Sequence, residues 1–121
     1  MEVVNINEKF SKFSDHWNPR IAGSLNGQHV KLVKIKGNFI WHSHAEEDEM
    51  FLVIAGTLHM DFRDKSVVIQ AGEFIIVPRG VEHRPWTEGE EEVQVMLFEP
   101  DSTVNTGAIR SDRTREKLEE I

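Results

Sequence analysis

The amino-acid sequence predicts an all-β barrel or sandwich with a short helix at each end. Three observations carry this reading. Between about residue 20 and residue 100, short runs of β-branched and aromatic residues alternate with turn signals, the pattern of many short strands in one sheet system. No stretch of helical apolar spacing interrupts them, which argues against alternating β–α units. The chain has 121 residues, 39% of them hydrophobic, enough for one domain with a real core.

The elements follow in order. Ile6, Phe10, Phe13 and Trp17 recur at helical spacing, with Asn5 and Glu8 placed as a capping box. Asn18-Pro19 should stop that helix, because a residue before proline avoids the helical region. The runs QHVKLVKI, NFIWHSH, EMFLVIA, TLHMDFR, SVVIQ, EFIIVP and VQVMLFE then read as strands. Between them lie KGN, AGT, RDKS, QAGE, PRG and TEGEE, the turns. EMFLVIA is apolar on both faces, whereas a half-exposed strand alternates. Its outer face therefore needs a second layer, either the N-terminal helix or a partner subunit, and a homodimer is the expectation. The tail SDRTREKLEEI reads as a short charged helix capped by Ser111. One domain over residues 1–121 is expected, its barrel spanning about 20–100.

Composition narrows the function. The net charge is −7, which argues against nucleic acid or an anionic membrane surface as partner. No apolar stretch approaches the roughly 18 residues that span a bilayer, and MEVVNINEKF lacks the basic start and apolar run of a secretory signal. A cytoplasmic location is the expectation. There is no cysteine and no tyrosine, so thiolate ligands, thiol nucleophiles and a phenolic acid are excluded. Proton transfer falls to His, Glu, Asp, Lys or a bound water.

The six histidines are informative by position. His42 and His44 are two apart, so on an extended chain both imidazoles leave the same side, roughly 7 Å apart at the backbone. Two neutral imidazoles in an apolar interior want a shared partner, and a divalent cation supplies one. AEEDE follows. Glu49 shares a strand face with Phe51, Val53 and Ala55, and if that face lines the interior, a cation is what makes its burial tolerable. Asp48 is the second choice, and Glu46 and Glu47 belong to a solvated turn. His83 follows the tight-turn signal Pro78-Arg79-Gly80, near the start of a strand that can lie beside the first pair. His59 should face outward with Asp61, His29 begins a strand, and His16 ends the first helix.

These residues resemble the cupin superfamily, in its small single-domain form. The first motif of that family appears as Gly37, His42, His44, Glu49 and Gly56, and the second as Gly72, Pro78, Gly80 and His83. Two positions depart from the pattern. Four residues rather than five separate Gly37 from His42, and Thr87 stands where the family has asparagine. The resemblance implies a jelly-roll-like double-stranded β-helix, with a metal held by His42, His44, Glu49 and His83, and it agrees with a homodimer.

Three nitrogen donors and one carboxylate suit Fe, Mn, Ni, Zn, Co or Cu in the divalent state, and ligand type does not choose among them. An open metal position inside a small apolar barrel points to a metalloenzyme of oxygenase or isomerase type acting on a small molecule, with Glu49 or a bound water as proton carrier. The absence of tyrosine argues against the cupin epimerases and thiol dioxygenases that use one. The alternatives are a non-catalytic ligand-binding cupin and a metal-stabilised structural dimer.

Overall fold

A computed structural model describes residues 1–121. After helix α1 (Ile6–Phe10) come eight strands: β1 (Arg20–Leu25), β2 (Gln28–Ile35), β3 (Glu49–Ala55), β4 (Thr57–Phe62), β5 (Ser66–Gln70), β6 (Phe74–Val77), β7 (His83–Trp86) and β8 (Val93–Pro100). They form a five-stranded sheet of order β1-β2-β8-β3-β6 and a three-stranded sheet of order β5-β4-β7. All pairings are antiparallel. Two such sheets facing each other make the jelly-roll barrel that the sequence predicts. No helix is long and apolar enough to cross a membrane.

Strand period places the core. Alternate residues of β3 and β8 are buried, Phe51 and Val53 on one and Val93, Val95 and Leu97 on the other. They meet Leu58, Met60 and Ile69 of the smaller sheet in one apolar cluster. The other face of β3 is only partly covered. Phe10, Phe13 and Leu32 form a second cluster against Ile54 and Met96, so the N-terminal segment supplies part of the second layer that EMFLVIA requires. Met50 and Leu52 lie beyond it, beside Ile76 and Phe74 of β6, which are 54% and 60% exposed.

Both expected helices need correction. Asn5 caps α1 by accepting from the Glu8 amide at 3.0 Å, as predicted, but the helix ends at Phe10 rather than at Asn18. Trp17 takes a left-handed backbone, φ 59°, and its amide donates to the Lys34 carbonyl at 2.9 Å. Phe13 and Trp17 are buried as anticipated, but by an irregular segment that leads them into different clusters. His16 therefore ends no helix and instead contacts Glu92 at 2.7 Å.

At the other end no helix forms over SDRTREKLEEI. Side chains take the backbone groups a helix would use. The Arg113 amide donates to Ser111 Oγ, the Ser111 amide to Thr114 Oγ1 and the Arg115 amide to Asn105 Oδ1. Such side-chain bonds compete with helical ones. The last residues lie beside β1, with the Ile121 amide donating to the Ile21 carbonyl at 3.0 Å and the Ile21 amide to the Glu119 carbonyl at 2.9 Å. Strand β1 was hidden in the sequence by Gly23, where the β1–β2 register slips.

The run NFIWHSH forms no continuous ladder. It makes isolated bridges, Asn38 with Trp86 and His42 with His83. The C-terminal segment holds it from the other side. Gly107 has φ 62°, and a Cβ there would overlap the Ser43 carbonyl oxygen, midway between the two histidines. Gly107→Ala should therefore lower stability by about 1–3 kcal/mol, measured by urea denaturation. An unchanged midpoint would show that this contact does not fasten the tail.

Candidate metal centre

Four elements of chain bring the site together. His42 sits in the bridging segment, where its amide donates to the His83 carbonyl at 3.1 Å and the His83 amide returns a bond to the His42 carbonyl at 2.9 Å. This reciprocal pair fixes the two residues opposite each other. His44 is held by the Pro78-Arg79-Gly80 turn, whose Gly80 amide donates to the His44 carbonyl at 2.8 Å. Asp48 anchors the same turn by accepting from the Arg79 amide at 2.8 Å. Asp48 is thus a turn fastener and lies outside the ligand cluster. Glu49 opens β3 in phase with Phe51 and Val53 and points inward as predicted.

His42, His44, Glu49 and His83 converge, with one potential ligand atom from each lying within 4.8 Å of the others. All four are buried, none above 4% exposure. The other histidines stay away, as expected. His59 faces outward and stacks on Trp86 at 4.0 Å, and Trp86 donates to Asp61 at 2.9 Å.

The donor chemistry fits a cation. His42 Nδ1 lies 2.9 Å from the Ile40 carbonyl and His83 Nδ1 2.9 Å from the Val81 carbonyl. A carbonyl can only accept, so in both rings Nδ1 carries the hydrogen and Nε2 offers its lone pair inward. His44 Nε2 and His83 Nε2 lie 3.2 and 3.5 Å from Glu49 Oε1. Even so, all three atoms are buried without a properly directed hydrogen bond. Buried polar atoms rarely remain unpaired in pairs, let alone in threes. A divalent ion among them would satisfy every one.

Electrostatics agree. Burial, together with the neighbouring His83, lowers the His42 pKa from 6.5 to about 4, so the ring is neutral and free to ligate near neutral pH. For Glu49 the largest influence is burial, which opposes ionisation. Glu99, His44 and His83 outweigh it and hold the carboxyl well below the usual range.

Beside the ligands is a cavity of about 40 Å³, room for roughly three waters. Its wall is apolar, with Trp17, Val33, Phe39, Phe51 and Leu97 facing His42 and Glu49. Trp17 stacks on Phe39 at 4.7 Å, and Phe39 meets His42 edge-on at 5.3 Å. Asn105 is the remaining polar group on the wall. Both ends of its amide are engaged, donating to the Arg113 carbonyl at 2.7 Å and accepting from the Arg115 amide at 2.8 Å.

The two departures from the motif pattern meet in space. Thr87 Oγ1 accepts from the Gly37 amide at 2.6 Å, and the Thr87 amide donates to the Gly37 carbonyl at 3.0 Å. The shorter spacing and the replaced asparagine thus close one turn together and leave the ligands in place.

A barrel with three inward imidazoles and one inward carboxylate defines a class of potential metal-binding proteins. The comparisons identify the family. A cupin domain matches residues 29–99, and the chain belongs to the cupin family. It is 34% identical over 80 residues to the uncharacterized protein YdbB of Bacillus subtilis (strain 168), covering 65% of each chain. It therefore spans about two-thirds of that relative's length. Among solved structures, it resembles a cupin-2 domain containing protein from Shewanella frigidimarina at 48% identity and TM-score 0.78, over 81% of this chain and 94% of that one. It also resembles protein NMB1881 from Neisseria meningitidis at 31% identity and TM-score 0.74, over 83% of this chain and all of the other.

The lowered His42 pKa has a measurable consequence. Between about pH 4 and 6.5, the unfolded chain binds a proton at this position that the folded chain refuses, so stability rises with pH across that window. Thermal denaturation of metal-free protein should show melting temperature falling as pH drops from 6.5 towards 4. His42→Phe should flatten that slope, and an unaltered slope would rule out His42 as its source.

Proposed function

We propose that His42, His44, Glu49 and His83 bind one divalent transition metal and that the protein is a metalloenzyme acting on a small molecule. The observation that carries this is the convergence of four buried ligand atoms, three of them without a hydrogen-bond partner, beside an apolar cavity. When bound, such an ion supplies Lewis acidity or a site for dioxygen.

The wall favours the oxygenase-type reading over the isomerase type. A sugar carries a hydroxyl on nearly every carbon, and a site for it needs a matching set of donors and acceptors. Here Asn105 has only one N–H and one lone pair left beyond its bonds to Arg113 and Arg115, and the other wall residues named above are apolar. A mostly apolar molecule with one polar end directed at the ligands suits the cavity better. Trp17, Phe39 and Phe51 provide flat surfaces to orient it. We assign Glu49 as the proton carrier among the chain's own groups: His42 and His83 have their second nitrogens tied to carbonyls, and His44 Nδ1 is buried without any partner to relay a proton. That same shortage of free acid–base groups favours, as a second reading, a cupin that binds a small ligand without turnover.

Metal analysis of purified protein, followed by dioxygen uptake with a panel of small phenols and diketones, tests this. His42→Ala and His83→Ala should lose most of the metal, whereas Glu46→Ala should keep it. Tight metal without uptake or turnover favours the second reading, and wild-type protein that takes up no metal defeats both.

We also propose that the protein is a homodimer and that the uncovered half of the larger sheet is its interface. Met50 and Leu52 of β3 with Phe74 and Ile76 of β6 form an apolar patch beside the one covered by α1. A second copy presenting the same patch about a two-fold axis would cover it. Light scattering should give the mass of a dimer, and Phe74→Glu with Ile76→Glu should give a folded monomer. A monomeric wild type would overturn the assignment.

A further inference from the structure

The barrel interior carries a second polar pair, Lys31 and Glu99, each 2% exposed. Lys31 Nζ donates to Glu99 Oε1 at 2.8 Å and reaches the Thr103 carbonyl at 3.5 Å. An isolated buried ion pair contributes little to stability, and apolar residues of the same volume often serve as well or better. Its presence in a core of Val, Leu and Phe therefore needs another reason.

Register supplies one. Strands β3 and β8 pair Phe51 with Leu97 and Met50 with Phe98. Continuing that register by one residue sets Glu49 opposite Glu99, and both side chains are buried on the inward phase of their strands. Side chains directly opposite have Cβ atoms about 4.5–5.5 Å apart, which brings the two buried carboxyl groups face to face. On the other side of β8, Lys31 is paired with Leu97 and His29 with Glu99, so the ammonium reaches Glu99 diagonally. A polar row thus runs from Lys31 and Glu99 to the facing Glu49 and on to the imidazoles of His44 and His83.

Two buried carboxyl groups facing each other are unfavourable unless something fixes them. Lys31 holds one oxygen of Glu99. The other, Oε2, is buried without a hydrogen-bond partner. Glu49 Oε1 is turned the other way, 3.2 Å from His44 Nε2. We propose that Glu99, pinned by Lys31, is a positioning residue that orients the Glu49 carboxylate towards the three imidazoles and so sets the affinity of the metal centre. The inference rests on the metal site proposed above and extends it to two residues outside the ligand set.

Outer-shell partners of ligands typically change metal affinity by about 10- to 100-fold. The test is titration with Co(II), followed by its visible absorption, with thermal denaturation of the metal-free proteins alongside. Glu99→Gln keeps an acceptor for Lys31 and a donor for Glu49, and should bind Co(II) like wild type with the same spectrum. Glu99→Leu should bind about 10- to 100-fold more weakly with a shifted spectrum. If that variant folds poorly, Lys31→Met combined with Glu99→Leu removes the stranded charge and should recover metal-free stability while cobalt binding remains weak. Wild-type affinity and spectrum in the double variant would overturn the positioning role and leave the metal site standing. A wild-type protein that binds no cobalt would overturn the metal site itself, and this role with it.

Discussion

The constraint on which the rest depends is the ionised carboxyl of Glu49 inside a β-barrel. A carboxylate taken out of water is far costlier to bury than any neighbouring apolar side chain is beneficial. Nearby residues are arranged around that fact. His44 and His83 approach one of its oxygens, Glu99 is buried on the facing strand, and Lys31 is bonded to Glu99. Apolar strands alone would fold into a drier barrel. This one has a polar row running across the inner face of its larger sheet.

That row explains why irregular backbone, and not strand alone, presents the histidines. A regular strand would put His42 and His44 on the same face at a fixed spacing, but the rings must also meet Glu49 and His83 from other strands. In the structure the segment makes single bridges, and it is clamped by the Gly80 amide on one side and by the backbone at Gly107 on the other. The positions are set by the hydrogen-bonded frame and not by local propensity. Thr87 and Gly37 belong to the same frame, joined by two hydrogen bonds.

Much of this was legible in the sequence, because period 2 is a strong signal when one face of a strand is buried. It placed Glu49 inward and Glu46 and Glu47 in the turn, and it set His59 on the outer face. The helices were less legible. The spacing of Phe13 and Trp17 imitates a helix, yet both are buried from an irregular segment because the barrel end needs apolar cover there. The tail has helix-compatible charges, but Ser111, Thr114 and Asn105 offer its amides closer acceptors. Lys31 and Glu99 were visible in principle. Continuing the inward phase of Val33 and Ile35 back along β2 reaches Lys31, and continuing that of Val95 and Leu97 along β8 reaches Glu99. A charge falling on an inward position is a sharper signal than any motif, since burial without a partner is too unfavourable to persist.

The same reasoning separates the site from its surroundings. Glu46, Glu47 and Asp48 are acidic and close in sequence to the ligands, but Glu46 is exposed and Glu47 accepts from Ser102 Oγ at 2.8 Å. Asp48 spends its carboxylate on the Arg79 amide. Glu49 differs from them by the phase of one strand residue. A one-residue slip of β3 would turn Glu49 outward and put Met50 and Leu52 into the cavity, leaving three imidazoles without an acid. The contacts that fix the start of β3, Glu49 against Val77 and Asp48 on the turn that follows β6, therefore govern the chemistry as much as the ligands do. Function here depends on register, and register is held by residues that never touch the ion.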